Sequence, residues 1–125
     1  MLLIRDENAL GTVYNELKLS FDKVEVSVQD IITERVFQEV DKYNQQAQGY
    51  LHGLVQPIGK SQTGKPSKKQ PINAELQVAI ALKAFANNVF FILIDDLQAE
   101  SLSQLITIKS NTMVSFVKLT PLVGG

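Results

Sequence analysis

The sequence predicts an α+β domain, a sheet packed against one long helix, and three observations carry that expectation. Tyr14–Phe21 alternates polar and apolar residues with the period of a half-buried strand. From Val28 to Tyr43 the apolar residues recur every three or four positions, the period of a helix. The closing third then returns to β-favouring runs at 89–94 and 113–119.

Taken in order, Met1 to Arg5 is a short apolar run closed by Asp6-Glu7-Asn8 and reads as the first strand. In Tyr14–Phe21, Leu17, Leu19 and Phe21 share one face and Glu16, Lys18 and Ser20 the other. Gly11 lies between the two runs, so an antiparallel hairpin is the simplest pairing. Ser27 with Asp30 three residues on has the form of a capping box, with Asp in place of the usual Glu. The stripe Val28, Ile31, Ile32, Val36, Val40 and Tyr43 follows, with Glu34, Arg35, Glu39 and Lys42 assigned to the other faces. The helix should end near Asn44 to Gln46.

Periodicity is lost from Gln46 to Gln70. GKSQTGKPSKKQP carries two glycines, two prolines and four lysines, so residues 46–72 read as a solvated loop or mobile insertion within one domain spanning 1–125. Asn73 can cap a second helix over Ala74 to Ala86, whose apolar residues surround most of it and predict deep burial. Asn87-Asn88 supplies a stop, since Asn tolerates the left-handed conformation. Val89–Ile94 is continuously apolar, the pattern of a strand covered on both faces, and Asp95-Asp96 ends it. Leu102, Leu105, Ile106 and Ile108 form a weaker edge segment, Lys109 to Thr112 a polar turn, and Met113 to Leu119 the last strand. Pro121 denies the chain a ladder donor and biases Thr120 toward extended backbone.

Composition narrows the function classes. With 45% hydrophobic and 20% charged residues over 125 positions, the chain has the balance of one soluble globular domain. A net charge of −1 gives no global field toward nucleic acid or an anionic membrane. There is no cysteine, which removes disulfides, thiolate metal sites and cysteine catalysis, and fits a cytoplasmic location. The longest apolar run, Val89–Ile94, falls far short of the ~20 residues that span a bilayer. MLLIRDEN reaches acid after five residues and carries no signal-peptide pattern.

Most candidate constellations fail on chemistry. Gly59-Lys-Ser-Gln-Thr-Gly64-Lys65-Pro66 begins as a phosphate-binding loop, but Pro66 stands where the magnesium-binding hydroxyl belongs. His52 is the only histidine, and no second His or Cys completes a metal site with it. Asp95-Asp96 reads as a turn, because adjacent residues at a strand end point to opposite sides. Lys60, Lys65, Lys68 and Lys69 form a local basic patch, read as a solubilising loop or a contact for an acidic partner. No aromatic residue interleaves those lysines as single-strand nucleic-acid binding favours.

The closing segment 120–125 stands apart. Pro121, Leu122 and Val123 lead from a strand into Gly124 and Gly125. Glycine permits close backbone approach, so an acid group on such a thread can enter a narrow channel that side chains would block. The Gly125 carboxylate is then the expected working group, with Leu122 and Val123 as apolar grip outside the channel.

The order of elements, closed by MVSFVKLTPLVGG, resembles the β-grasp fold of ubiquitin-like proteins. It is most similar to the prokaryotic sulfur carriers, the small subunit of molybdopterin synthase and the carrier of the thiamine pathway. The residues that carry the likeness are Phe90 to Asp95, Leu102 and Leu105, Ser110-Asn111, Val114 with Phe116, and Pro121 to Gly125. The resemblance implies a mixed sheet of four or five strands on a long helix, with the loop–helix insertion extra to the minimal fold. It further implies a protein that is not an enzyme and holds no cofactor or metal, with neither nucleic acid nor membrane as partner. A ubiquitin-activating-type enzyme, itself binding ATP, would adenylate Gly125. A conjugating enzyme and a protease would be further partners, Pro121, Leu122 and Val123 would contact the activating enzyme, and the acyl group would go to a target amine or to sulfide. The length favours a specialised bacterial modifier of the kind encoded beside such enzymes. Two alternatives stay open: a β-grasp interaction module with no C-terminal chemistry, and a small enzyme, for which the sequence supplies no nucleophile–base pair.

Overall fold

The computed structural model describes residues 1–45 and 72–119. Their elements run β1 (Leu2–Asn8), β2 (Val13–Leu19), β3 (Glu25–Ser27), α1 (Val28–Gln45), α2 (Ala74–Ala86), β4 (Phe90–Ile94), β5 (Leu97–Gln98), β6 (Leu105–Thr107) and β7 (Met113–Lys118). The fold is α+β. A mixed five-stranded sheet has the order β2-β1-β7-β4-β5, and β3 and β6 form a separate two-stranded sheet. β1 lies antiparallel to β2 and parallel to β7. β7 is antiparallel to β4, and β4 to β5.

The hairpin of β1 and β2 turns through Gly11, whose φ of 87° lies where a side chain would be strained. One face of the sheet supplies Leu2, Ile4, Leu19, Phe90, Ile92, Val114 and Phe116 to the core. Opposite them α1 lays Val28, Ile31, Ile32, Val36 and Val40, all buried. Burying each such side chain stabilises the fold by about 1.5–3 kcal/mol, which is why the helical stripe seeks the sheet. Phe90 bridges Phe116, at 5.7 Å between ring centroids, and Phe85 of α2, at 5.9 Å.

The start of α1 and both ends of α2 follow the sequence signals. The Ser27 N–H donates to Asp30 Oδ2 at 2.9 Å and the Asp30 N–H to Ser27 Oγ at 3.0 Å, a reciprocal capping box. The N–H groups of Val28 and Gln29 donate to the carbonyls of Gln104 and Leu102, so the loop before β6 completes the helix start. Asn73 caps α2 by accepting from the Leu76 N–H at 3.0 Å, and Asn88 follows the helix with φ 59°.

Four expectations need correction. Asp6-Glu7-Asn8 does not close β1 but belongs to it, and Asp6 is fully buried. Arg35 is not on an outer face of α1; it too is fully buried, against Asp6. Among the described residues α2 is not deeply buried: only Gln77 and Ala81 are, while Leu76 is exposed. β4 is fully covered on one face only, because Phe90 and Ile92 point to the core whereas Phe91 and Leu93 stay half-buried on the other face.

Candidate functional site

The sequence places its candidate chemistry just beyond β7, and the sheet fixes how that strand ends. Lys118, the last residue of β7, pairs with Asn8 of β1 on one side and Phe90 of β4 on the other. The Leu119 N–H adds a bond to the Val89 carbonyl at 3.4 Å. Flanked by strands on both sides, β7 therefore delivers the chain toward residue 120 from the middle of the sheet. Pro121, Leu122, Val123, Gly124 and Gly125 lie outside the described residues, as do His52, the Gly59–Pro66 segment and Lys60, Lys65, Lys68 and Lys69.

A charged cluster sits inside this end of the molecule. Arg35 reaches from α1 to β1, where its Nη2 donates to Asp6 Oδ2 at 2.6 Å and its Nη1 to Asp6 Oδ1. Its Nε donates to Glu39 Oε1 at 3.0 Å, one helical turn on. Asn15 of β2 donates to Asp6 Oδ2 at 2.9 Å, and the Phe116 ring lies 4.6 Å from the guanidinium carbon. Burial works against the Arg35 charge, but Asp6 and Glu39 outweigh it and hold the guanidinium more firmly protonated than usual.

Lys118 and Tyr14 share this field. Burial lowers the Lys118 ammonium below the usual lysine range, against the upward pull of Asp6 and Glu39 and with a further push down from Arg35. Burial also raises the Tyr14 phenol, helped by Asp6 and Glu39 and opposed by Arg35. Arg35 donates from Nε, Nη1 and Nη2, and among the described residues no buried side-chain nitrogen or oxygen is left without a partner. Such an arrangement ties β1 to α1, with Phe116 of β7 packed against the guanidinium.

Sequence reasoning missed Asp6 and Arg35, although a signal was present. Asp6 keeps phase with Leu2 and Ile4 along β1, and Arg35 falls four residues past Ile31 and three past Ile32. Phase placed both inside, while residue type suggested the surface.

Of the remaining candidates, Asp95-Asp96 lies within the described residues and is structural. Asp95 and Asp96, with φ of 49° and 72°, make the two-residue turn between β4 and β5, and Asp95 Oδ1 accepts from the Met113 N–H at 3.0 Å. Among the described residues, no group of three His, Cys, Asp or Glu side chains is placed to hold a metal ion. No helix among them is long and apolar enough to cross a membrane.

The sheet face turned away from α1 carries Leu3, Phe91, Leu93, Met113 and Val117, half-buried, around a buried Ser115. Arg5 lies over this strip with Nε 2.9 Å from Met113 Sδ. No protein-family model, no curated protein and no solved structure matches this chain.

Proposed function

We propose that this chain is a ubiquitin-like protein of β-grasp build that acts through the carboxylate of Gly125. The observation that carries the reading is strand β7. It lies between β1, parallel, and β4, antiparallel, and runs directly into Leu-Thr-Pro-Leu-Val-Gly-Gly. A hairpin, a helix laid across the sheet, and a final strand inserted beside the first are the features that define a β-grasp, and they support the assignment. The second helix and the insertion are additions to it.

In this reading the folded body presents the tail and a partner enzyme supplies the chemistry. A carboxylate oxygen of Gly125 attacks the α-phosphate of ATP bound to a ubiquitin-activating-type enzyme and displaces pyrophosphate, giving an acyl-adenylate. A cysteine thiolate or a sulfide then attacks the glycyl carbonyl and expels AMP, giving a thioester or a thiocarboxylate. From the thioester, a target amine displaces the thiol and loses a proton to form an amide. Gly124 and Gly125 leave the approach to the phosphate clear of side chains, while Pro121, Leu122 and Val123 contact the enzyme outside it. The scheme requires Gly125 to end in a free carboxylate, native or released by a protease.

The test is intact-mass analysis after incubation with ATP and a panel of ubiquitin-activating-type enzymes. The expected product is an AMP, thioester or thiocarboxylate adduct that is lost on deleting Gly125. An unchanged mass, or an adduct that survives the deletion, overturns the reading.

One observation favours a second reading, an interaction module with no C-terminal chemistry: the apolar strip of Leu3, Phe91, Leu93, Met113 and Val117 is covered by no described element. In that case residues added after Gly125 leave cellular activity intact.

A further inference from the structure

β2 is an edge strand of the five-stranded sheet: β1 pairs with one side of it, and no described strand pairs with the other. The Lys18 carbonyl accepts from Gln38 Nε2 of α1 at 2.9 Å, so Lys18 turns its backbone groups away from β1. In an antiparallel pair that orientation alternates, so Glu16 turns outward as well while Leu17 bonds back toward Ile4. Glu16 and Lys18 are both exposed, and their side chains share the sheet face opposite α1. Leu17, between them, points to the core face and is only half-buried. Among the hydrogen bonds described, Gln38 alone reaches the outward backbone groups of Glu16 and Lys18. A carbonyl has two lone pairs, so Lys18 can accept a second bond beside that one.

We propose that this edge pairs with the same edge of a second copy of the chain, joining the two sheets across a two-fold axis. Such an axis, normal to the sheet, makes the pairing antiparallel. Outward residues must then meet outward residues for the backbones to bond. Around Leu17 this leaves Glu16 against Glu16, Lys18 against Lys18, or each Glu16 against the other copy's Lys18. Charge chooses among them. The first two set like charges directly opposite each other, which is destabilising, whereas the third makes an attractive pair on each side of the axis. In that register each Glu16–Lys18 pair exchanges two backbone bonds. The two Leu17 side chains meet on the axis as a non-hydrogen-bonded pair, the closer kind, and cover apolar surface that one copy leaves half-exposed. Edges that resist self-pairing carry charges that repel a second strand; here opposite signs two residues apart make the edge complementary to itself. A foreign strand would have to bring the same Glu-x-Lys order, which a second copy brings by symmetry. Nothing in this proposal depends on chemistry at Gly125.

Sedimentation of the full chain from micromolar to millimolar concentration tests it, with circular dichroism to confirm that each variant is folded. The expected result is a reversible monomer–dimer equilibrium. Glu16→Lys and Lys18→Glu should each weaken the dimer on the order of tenfold, because either change turns both attractive pairs into repulsive ones. The double variant Glu16→Lys with Lys18→Glu restores opposite charges across the axis and should dimerise like the parent. Amide exchange of the unaltered chain gives a second reading: the Glu16 and Lys18 N–H groups should exchange more slowly in concentrated than in dilute solution. A monomer at every concentration, single reversals without effect, a double variant as weak as the single ones, or amide exchange at Glu16 and Lys18 that ignores concentration would each overturn the proposal.

Discussion

Arg35 stands where the helical pattern calls for an apolar residue, and the core accommodates it only because Asp6, Glu39 and Phe116 surround its guanidinium. Removing one partner of a buried pair strands the other. Arg35→Met should therefore cost about 3–5 kcal/mol in urea unfolding, by leaving the Asp6 carboxylate buried and unpaired. Adding Asp6→Leu should recover most of that loss, since a well-packed apolar pair replaces a buried ion pair at little cost. A double variant no more stable than Arg35→Met alone would show that the network matters for more than its own charges. The same cluster sets an alkaline signature. The folded chain sheds the Lys118 proton below the ordinary 10.5, where the unfolded chain still binds it, so stability rises with pH through that window. The Tyr14 phenol holds its proton above the ordinary 10.0, so its contribution falls as pH climbs past that value. Lys118→Met should abolish the rise and leave the fall, as read by urea midpoints measured across the alkaline range.

At the scale of elements, what was legible in the sequence is what local hydrogen bonding dictates. The Ser27–Asp30 box, the Asn73 cap and the left-handed Asn88 each act within a few residues, so type and spacing were enough to find them. Ser27→Ala should accordingly lower stability by about 1 kcal/mol in thermal or urea unfolding. In the small sheet, β6 falls in the edge segment that the sequence suggested, whereas β3 and the pairing of the two were not legible. Three residues a side show no period, and Val26 meets Ile106 only because α1 starts where the intervening chain returns. Asp6 was missed for a related reason, since its partner lies on another element 29 residues away. The turn at Asp95-Asp96 separates two roles that look alike in sequence. Asp95 holds the Met113 N–H, so Asp95→Ala should cost about 1 kcal/mol. Among the hydrogen bonds described, the Asp96 side chain makes none, and its φ is 72°. Asp96→Gly should thus relieve backbone strain and raise stability by on the order of 0.5 kcal/mol. Equal effects of the two substitutions would contradict this division of labour.

For the whole molecule, the pairing of the first strand with the last ties folding to β7. Val114 and Phe116 are fully buried, and β7 carries ladders to both β1 and β4. A chain ending at Thr112 loses the middle of its sheet, leaving β1–β2 and β4–β5 as separate hairpins, and should not fold cooperatively. The ladders of β7 are complete at Lys118, so a chain ending at Leu119 retains every strand pairing described. That variant should unfold at the same urea midpoint as the full chain. The proposed chemistry makes the opposite demand, because loss of Gly125 alone removes the group that is adenylated. Stability and activity are thus expected to separate along the last thirteen residues: 113–118 decide whether the protein folds, and 121–125 whether it reacts. Circular dichroism with urea unfolding reads the first, and intact mass after ATP and activating enzyme reads the second. If removing residues 120–125 lowered the midpoint as severely as removing β7, those residues would belong to the core and could not serve as a thread into another protein's active site. If both truncations folded, the central place of β7 would be wrong, and the β-grasp assignment with it.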